Sequence, residues 1–154
     1  MKPLSKAVLF VVDDEPSVRR AMGRLLASVG FQVELFGSGE EVLEAIVGRR
    51  VRPDCLILDV HLRGMNGFEL QDRLRARGWE VPTVFMTAVE FVRSVGEGWR
   101  ERFPPGLQEA SLLLKPFDDQ ALLERITRAL GPAEATRPSG GPSPDPGPPS
   151  ALGA

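Results

Sequence analysis

The sequence is poor in the features that place a protein outside the cytoplasm or in a membrane. Its 154 residues include a single cysteine, Cys55, so no disulfide can form within the chain. No apolar run approaches the roughly eighteen residues that a bilayer-spanning helix needs, and the opening MKPLSK leads into a strand-like run without signal-peptide features. These absences predict a cytoplasmic protein with no membrane partner.

An excess of charge of one sign is also lacking. The chain has 19 Lys and Arg against 21 Asp and Glu, a formal net charge of −2, which excludes a strongly basic nucleic-acid binder. The P-loop GK[ST], GxGxxG and GxSxG motifs are absent, which argues against nucleotide binding and serine hydrolysis. Hydrophobic residues at 42% and charged residues at 26% are instead typical of one ordinary globular domain.

The composition changes sharply near the C-terminus. Residues 132–154 hold seven of the fourteen prolines and show no apolar periodicity, so they cannot bury enough surface to offset the entropy of ordering them. We therefore predict a domain over residues 1–131 and a flexible Pro/Gly/Ser-rich tail over 132–154. The PGPP at 146–149 has the form of a PxxP ligand, although a solvated terminus is the simpler interpretation.

Apolar runs of strand length alternate with helical patterns through the domain. Four are continuous, as in parallel strands covered on both faces, and a fifth, FQVELF (31–36), alternates like an edge strand. The four are AVLFVV (7–12), CLILDV (55–60), TVFMTA (83–88) and SLLL (111–114). With right-handed crossovers they predict an α/β fold, a doubly wound parallel sheet with helices on both faces.

Capping residues and helix breakers mark where the helices begin and end. Pro16 suits a first turn, Gly30 a helix end, and Asp118 an N-cap, while capping-box patterns start at Ser38 and Asn66. The stretch between the fourth and fifth strands is long and interrupted by glycine and proline. There we predict a helix from near residue 89 to about 102, followed by a loop around 104–110.

Polar residues stand at the ends of the strands, where ligands bind in this type of sheet. Asp13 and Asp14 follow the first strand, Asp59 ends the third, Thr87 the fourth, and Lys115 the fifth. Carboxylates that converge there require a compensating cation, and hard oxygen ligands without a Cys or His cluster suit Mg²⁺. Since Mg²⁺ favours phosphate oxygens, the pattern predicts a phosphoryl site with Lys115 as its counter-charge.

Each of these residues also has an ordinary structural interpretation. Asp13 and Asp14 can cap the next helix, Thr87 can make a strand-end hydrogen bond, and Lys115 can be a solvated lysine. Their joint occurrence at the ends of successive strands favours a shared site.

Four segments in this order resemble the receiver domain of two-component response regulators. They are VVDDE (11–15), LILDVHLRGMNGFEL (56–70), TVFMTA (83–88) and LLLKPF (112–117), and the resemblance covers about residues 5–131. It implies a flavodoxin-like, five-stranded sheet in the order 2-1-3-4-5 and a cis Lys115–Pro116 peptide. It also implies a signalling protein, not an enzyme with a separate substrate, that catalyses its own phosphorylation and dephosphorylation.

The resemblance assigns a role to each candidate residue. Asp59 is the implied phosphoacceptor, Thr87 the switch hydroxyl and Lys115 the lysine that pairs with the phosphate. Asp14, Asp59 and the backbone carbonyl of His61 are the implied direct Mg²⁺ ligands, with Asp13 acting through water. The implied partners are a sensor histidine kinase or a histidine phosphotransfer protein, and a phosphorylation-dependent homodimer is a further expectation.

The sequence departs from the family pattern in three places and leaves other functions open. Arg63 replaces a common proline, Leu112 replaces a common aromatic switch residue, and the segment after Thr87 is long. One alternative is a non-phosphorylated interaction module; another is a truncated receiver of a helix-turn-helix DNA-binding regulator. A Mg²⁺-dependent phosphatase would need a second aspartate two residues after Asp59, where His61 stands instead.

Overall fold

Strands and helices alternate along the chain, as the apolar runs predict. The computed structural model describes residues 7–103 and 111–131. The strands are β1 (Val8–Val12), β2 (Gln32–Phe36), β3 (Cys55–Asp59), β4 (Thr83–Ala88) and β5 (Leu112–Lys115). The helices are α1 (Pro16–Val29), α2 (Gly39–Leu43) with a π-helical turn (Glu44–Gly48), α3 (Gly67–Ala76), α4 (Val89–Val95) with a 3-10 helix (Gly96–Arg102), and α5 (Asp119–Leu130).

The five strands form one parallel sheet in the order β2-β1-β3-β4-β5, which confirms the predicted fold class. The register pairs Val12 with Leu58, Asp59 with Met86, and Ala88 with Lys115. Because all strands run the same way, their carboxyl ends meet along one edge of the sheet. The register therefore brings the polar strand-end residues to that edge.

Successive strand residues point to opposite faces of the sheet, so the core has two layers. Phe10, Leu58 and Phe85 pack with α2 and α3 residues on one face, and Leu9, Ile57 and Met86 pack with α1 and α5 residues on the other. All six of these strand side chains are at most 1% exposed. Burial on both faces explains why these strands are continuously apolar.

The edge strand β2 departs from its predicted alternation. Phe31 is buried, but Leu35, expected on the same apolar side, is 40% exposed and lies over Gly23 of α1. Leu35 belongs to an edge strand of the sheet, which has a neighbouring strand on one side only.

Most helix ends match the capping signals. Pro16 begins α1, Gly30 ends it at φ 112°, and the Asp118 carboxylate accepts from the Ala121 amide at 2.8 Å. Asn66 and Glu69 form a reciprocal capping box before α3. Only one of the two hydrogen bonds of the predicted capping box at Ser38 has the expected partner. The Ser38 hydroxyl accepts from the Glu41 amide, but the Glu41 carboxylate accepts from the Gly37 amide instead of the Ser38 amide.

The helical stretch after β4 begins at Val89 and ends at Arg102, as predicted, but it is not one continuous helix. It changes to 3-10 geometry at Gly96, which has φ 84°. The predicted loop at 104–110 and the predicted tail at 132–154 lie outside the described residues. Within the described ranges, none of the helices has the length and hydropathy needed to cross a membrane.

Candidate functional site

The strand-end residues form an acidic pocket, which we define as Asp13, Asp14, Asp59 and Lys115. One carboxylate oxygen from each of the three aspartates lies within 4.8 Å of the others. The Lys115 Nζ donates to Asp13 Oδ2 and to Asp59 Oδ2, each at 2.9 Å. The predicted convergence of these residues is therefore correct, and Lys115 bridges two carboxylates instead of extending into solvent.

Burial strengthens the electrostatic coupling in this pocket. Asp13 is 1% exposed and Asp59 7% exposed. Burial raises the pKa of Asp13 above its ordinary value, and its hydrogen bonds with the Glu15 amide and Lys115 only partly oppose this. Burial by itself would lower the pKa of Lys115, but the hydrogen bonds and charges of Asp13 and Asp59 raise it overall. Lys115 therefore stays a cation at neutral pH.

Backbone amides hold the carboxylates in place. The Glu15 amide donates to Asp13 Oδ1 and the His61 amide to Asp59 Oδ1, each at 2.9 Å. The Arg63 amide donates to Asp14 Oδ2 at 3.2 Å. The N-cap residue of α1 is Glu15, whose side chain makes no capping bond, so neither Asp13 nor Asp14 is its N-cap.

The start of α3 packs closely beneath Asp59. The Gly67 amide donates to the Val60 carbonyl at 3.1 Å, and a Cβ at Gly67 would lie 2.9 Å from the Asp59 carbonyl oxygen. Any residue larger than glycine would therefore push against the strand end that presents Asp59. This position was not identified from the sequence, because a close backbone approach leaves no pattern in a single chain.

Thr87 lies beside the pocket and is fully buried. Its Oγ1 is 2.9 Å from Nε2 of His61, and the direction of donation depends on the imidazole tautomer. The contact replaces the ordinary strand-end hydrogen bond that Thr87 could have made. The resemblance implied a backbone carbonyl role for His61, and its position beside Asp59 suggested that its ring orients a water. The contact with Thr87 was not predicted; the one signal for it was that the chain's single histidine stands two residues after Asp59.

The pocket can hold a divalent cation and an anionic group. Three carboxylates with one lysine carry net negative charge, which a hard cation would offset, and oxygen donors without a sulfur or imidazole cluster suit Mg²⁺. The peptide between Lys115 and Pro116 is cis, as the resemblance implies.

Fold and pocket together define a receiver, and the comparisons show its family. The sequence-family model of the response regulator receiver domain matches residues 9–127. The chain therefore belongs to the receiver family of two-component response regulators. Nodulation protein W of Bradyrhizobium diazoefficiens is 35% identical over 132 residues, covering 81% of this chain and 52% of that protein. The transcriptional regulatory protein FixJ of the same organism is 32% identical over 130 residues, which cover 84% of this chain and 60% of FixJ.

A solved structure agrees with the assignment. The response regulator receiver protein from Burkholderia phymatum is 38% identical, with a TM-score of 0.64, covering 81% of this chain and 95% of that one. The chain spans about half the length of nodulation protein W, since the match covers 52% of that protein.

Proposed function

We propose that this chain accepts a phosphoryl group from a phosphohistidine onto Asp59 and signals through the resulting conformational change. The observation that carries the proposal is the Lys115 ammonium, 2.9 Å from both Asp13 and Asp59 in a pocket with Asp14. The donor is a sensor histidine kinase or a histidine phosphotransfer protein in the cytoplasm. As part of the same proposal, residues 1–131 are the receiver and 132–154 a Pro/Gly/Ser-rich tail.

Each pocket residue has a role in this proposal. Asp59 is the nucleophile, Lys115 pairs with the transferred phosphoryl group, and the Thr87 hydroxyl donates to one of its oxygens. Mg²⁺ fits the donor set, with Asp14, Asp59 and the His61 carbonyl as direct ligands and Asp13 acting through water. When bound, Mg²⁺ supplies charge neutralisation for the transferring group.

The transfer itself asks little covalent chemistry of the protein. The phosphorus–nitrogen bond of phosphohistidine breaks, a phosphorus–oxygen bond to Asp59 forms, and the donor imidazole leaves with its electron pair and takes up a proton. Positioning and charge stabilisation carry most of the catalysis in such reactions. Lys115 is already partly desolvated and fixed between two carboxylates, so it need not reorganise greatly to meet the phosphoryl oxygens.

Phosphotransfer with substituted protein tests the proposal. Wild type, Asp59→Asn and Asp72→Asn are incubated with acetyl phosphate or a phosphorylated kinase, with Mg²⁺ or with EDTA, and analysed by intact mass. Asp72 is an exposed carboxylate of α3 and serves as the matched control. We expect a phosphorylated species in wild type and Asp72→Asn with Mg²⁺, and none in Asp59→Asn or with EDTA.

Two results would contradict the proposal. Phosphorylation that survives Asp59→Asn would place the acceptor elsewhere. A complete lack of Mg²⁺-dependent phosphorylation in wild type would favour the alternative of a non-phosphorylated interaction module.

A further inference from the structure

The Thr87 hydroxyl is engaged even without a phosphoryl group. A buried hydroxyl needs a hydrogen-bond partner, and the partner in the described chain is Nε2 of His61 at 2.9 Å. The hydroxyl has one proton to donate. When the His61 proton is on Nδ1, Nε2 accepts the Thr87 proton, so a hydroxyl that donates instead to a phosphoryl oxygen on Asp59 gives up its bond to His61.

His61 is in turn the first ring of an aromatic series. Its ring centroid is 4.6 Å from that of Phe91 in α4, and Phe91 stacks on Phe103 at 6.1 Å with an interplanar angle of 10°. Trp99 meets Phe103 edge to face at 5.5 Å. The series therefore runs from the Thr87 hydroxyl to the 3-10 helix, within van der Waals reach from ring to ring.

The two helices that this series reaches are only partly buried. Neither α4 nor the 3-10 helix contains a buried residue, and only Phe103, just beyond them, is buried. Repacking a partly exposed ring costs less than disturbing a close-packed core. A change at His61 can therefore be transmitted to residues 96–103 without disrupting the sheet.

From these contacts we propose that His61, with its proton on Nδ1 so that Nε2 accepts from Thr87, is a positioning residue. It holds the Thr87 hydroxyl in the unphosphorylated protein and passes its release to residues 96–103. A hydrogen bond to a charged phosphoryl oxygen is about twice as strong as one between neutral groups, so phosphorylation draws the hydroxyl away from His61. The released imidazole then shifts against Phe91, and the Phe91–Phe103 stack repacks. This inference rests on the proposed phosphorylation of Asp59.

Tryptophan fluorescence reports the last step. The full chain with Trp79→Phe keeps Trp99 as its only tryptophan, and beryllofluoride with Mg²⁺ serves as the phosphoryl mimic. We expect saturation to change Trp99 emission and to speed amide exchange at residues 96–103. Phe91→Leu should abolish both changes. Phe68→Leu is the control and should retain them, because the Phe68 ring centroid lies 5.2 Å from that of Phe103 but Phe68 is not part of the series to His61.

Beryllofluoride affinity tests the competition for the hydroxyl. His61→Phe keeps a ring against Phe91 but removes the nitrogen, so Thr87 loses its resting partner. We expect it to bind beryllofluoride about fivefold more tightly, the value of one hydrogen bond, and to lose the Trp99 response at saturation. In a Thr87→Val background the same substitution should leave the affinity unchanged.

The outcomes separate this inference from the proposed function. No beryllofluoride binding by wild type would overturn both. Binding by wild type, with unchanged or weaker affinity in His61→Phe, would overturn the role of His61 alone. A Trp99 response that persists in both Phe91→Leu and His61→Phe would also overturn the aromatic coupling, provided thermal unfolding shows that both variants fold.

Discussion

The acidic pocket and the 89–103 segment lie side by side but are held in place in different ways. Asp13 and Asp59 sit on strand ends that are almost fully buried, and hydrogen bonds from Lys115 join them. Within residues 89–103, α4 and the 3-10 helix contain no buried residue, and ring contacts join them to the domain. Sheet register thus fixes the pocket, whereas ring contacts hold the segment against the domain.

This difference suits a protein that must keep its chemistry constant while its surface changes. Moving Asp59 would require breaking strand pairing in the centre of the sheet, where the cost approaches that of global unfolding. Moving Lys115 would break its pairing with Ala88 and its bonds to two carboxylates. Phe91 is partly exposed, and moving it requires only a shift of its ring against His61 and the buried Phe103. The pocket can therefore act as the rigid partner and the 89–103 segment as the responsive one.

Magnesium gives the largest expected contrast between the two regions. At about one hundred times its dissociation constant, Mg²⁺ should raise the free energy of unfolding of wild type by roughly 2.7 kcal/mol, because only the folded chain gathers the three carboxylates. Amide exchange should slow in residues 60–66 and stay unchanged in residues 89–103. Denaturant unfolding and hydrogen exchange, each with and without Mg²⁺, measure these effects.

Asp14→Asn is the control for the magnesium experiment, since it removes a carboxylate that is not bridged by Lys115. Its Mg²⁺-dependent stabilisation should fall sharply. If Mg²⁺ alone slowed exchange across residues 89–103 as much as in residues 60–66, the two regions would form one unit and the comparison would fail.

The second largest expected contrast is in the free energy of unfolding after one methyl group is added to each region. Gly67→Ala would place Cβ 2.9 Å from the Asp59 carbonyl oxygen and 3.3 Å from the Val60 Cα, both rigid backbone atoms. We expect a loss of about 1–3 kcal/mol in the free energy of unfolding, as in other overpacked sites. Phosphorylation of Asp59 should slow as well, because the strand end must shift.

A glycine-to-alanine substitution in the 89–103 segment should not lower the free energy of unfolding. Gly98 has φ −87° and ψ 15°, and the nearest atom to an added Cβ is a flexible Glu101 carboxylate oxygen at 3.4 Å. Gly98→Ala should be neutral or slightly stabilising, because alanine reduces the entropy of the unfolded chain. Equal destabilisation by Gly67→Ala and Gly98→Ala in urea would show that the segment is packed as tightly as the pocket.

The parts of the fold that follow from backbone pairing were predictable from sequence. Continuous apolar runs located four strands within one residue at each end, because buried parallel strands tolerate few polar side chains. Asp13, Asp59 and Lys115 then converged as expected, since the ends of parallel strands meet at one edge. This convergence depends on the backbone and not on side-chain rotamers.

The parts that depend on side-chain direction were not predictable in the same way. Nothing in the spacing indicates that the His61 ring turns toward Thr87 and packs on Phe91, because both contacts depend on the rotamer of one residue in a loop. The change to 3-10 geometry at Gly96 likewise depends on a positive φ that glycine permits but does not require. Leu112, which replaces an aromatic switch residue, is simply buried in the core.

Removing the Arg63 side chain should give the smallest effect, a change in Mg²⁺ affinity. It tests whether a charge beside the pocket acts on the metal site more than a charge in the 89–103 segment does. Its Nε lies 3.8 Å from Asp14 Oδ2, but the side chain is 93% exposed, so solvent screens most of the interaction. Arg63→Ala keeps the backbone amide bond to Asp14 and removes a cation that competes with the metal. We expect Mg²⁺ affinity to rise by less than about threefold at low salt and to match wild type at high salt.

Arg93→Ala, an exposed residue of α4, is the matched change in the segment and should leave Mg²⁺ affinity unaltered. Isothermal titration at two ionic strengths compares the two variants. An equal gain in both would mean that net charge acts on the pocket from any distance. A fall in affinity with Arg63→Ala would mean that the guanidinium organises Asp14 for the metal instead of competing with it, so that an exposed loop helps to shape a pocket otherwise fixed by the sheet.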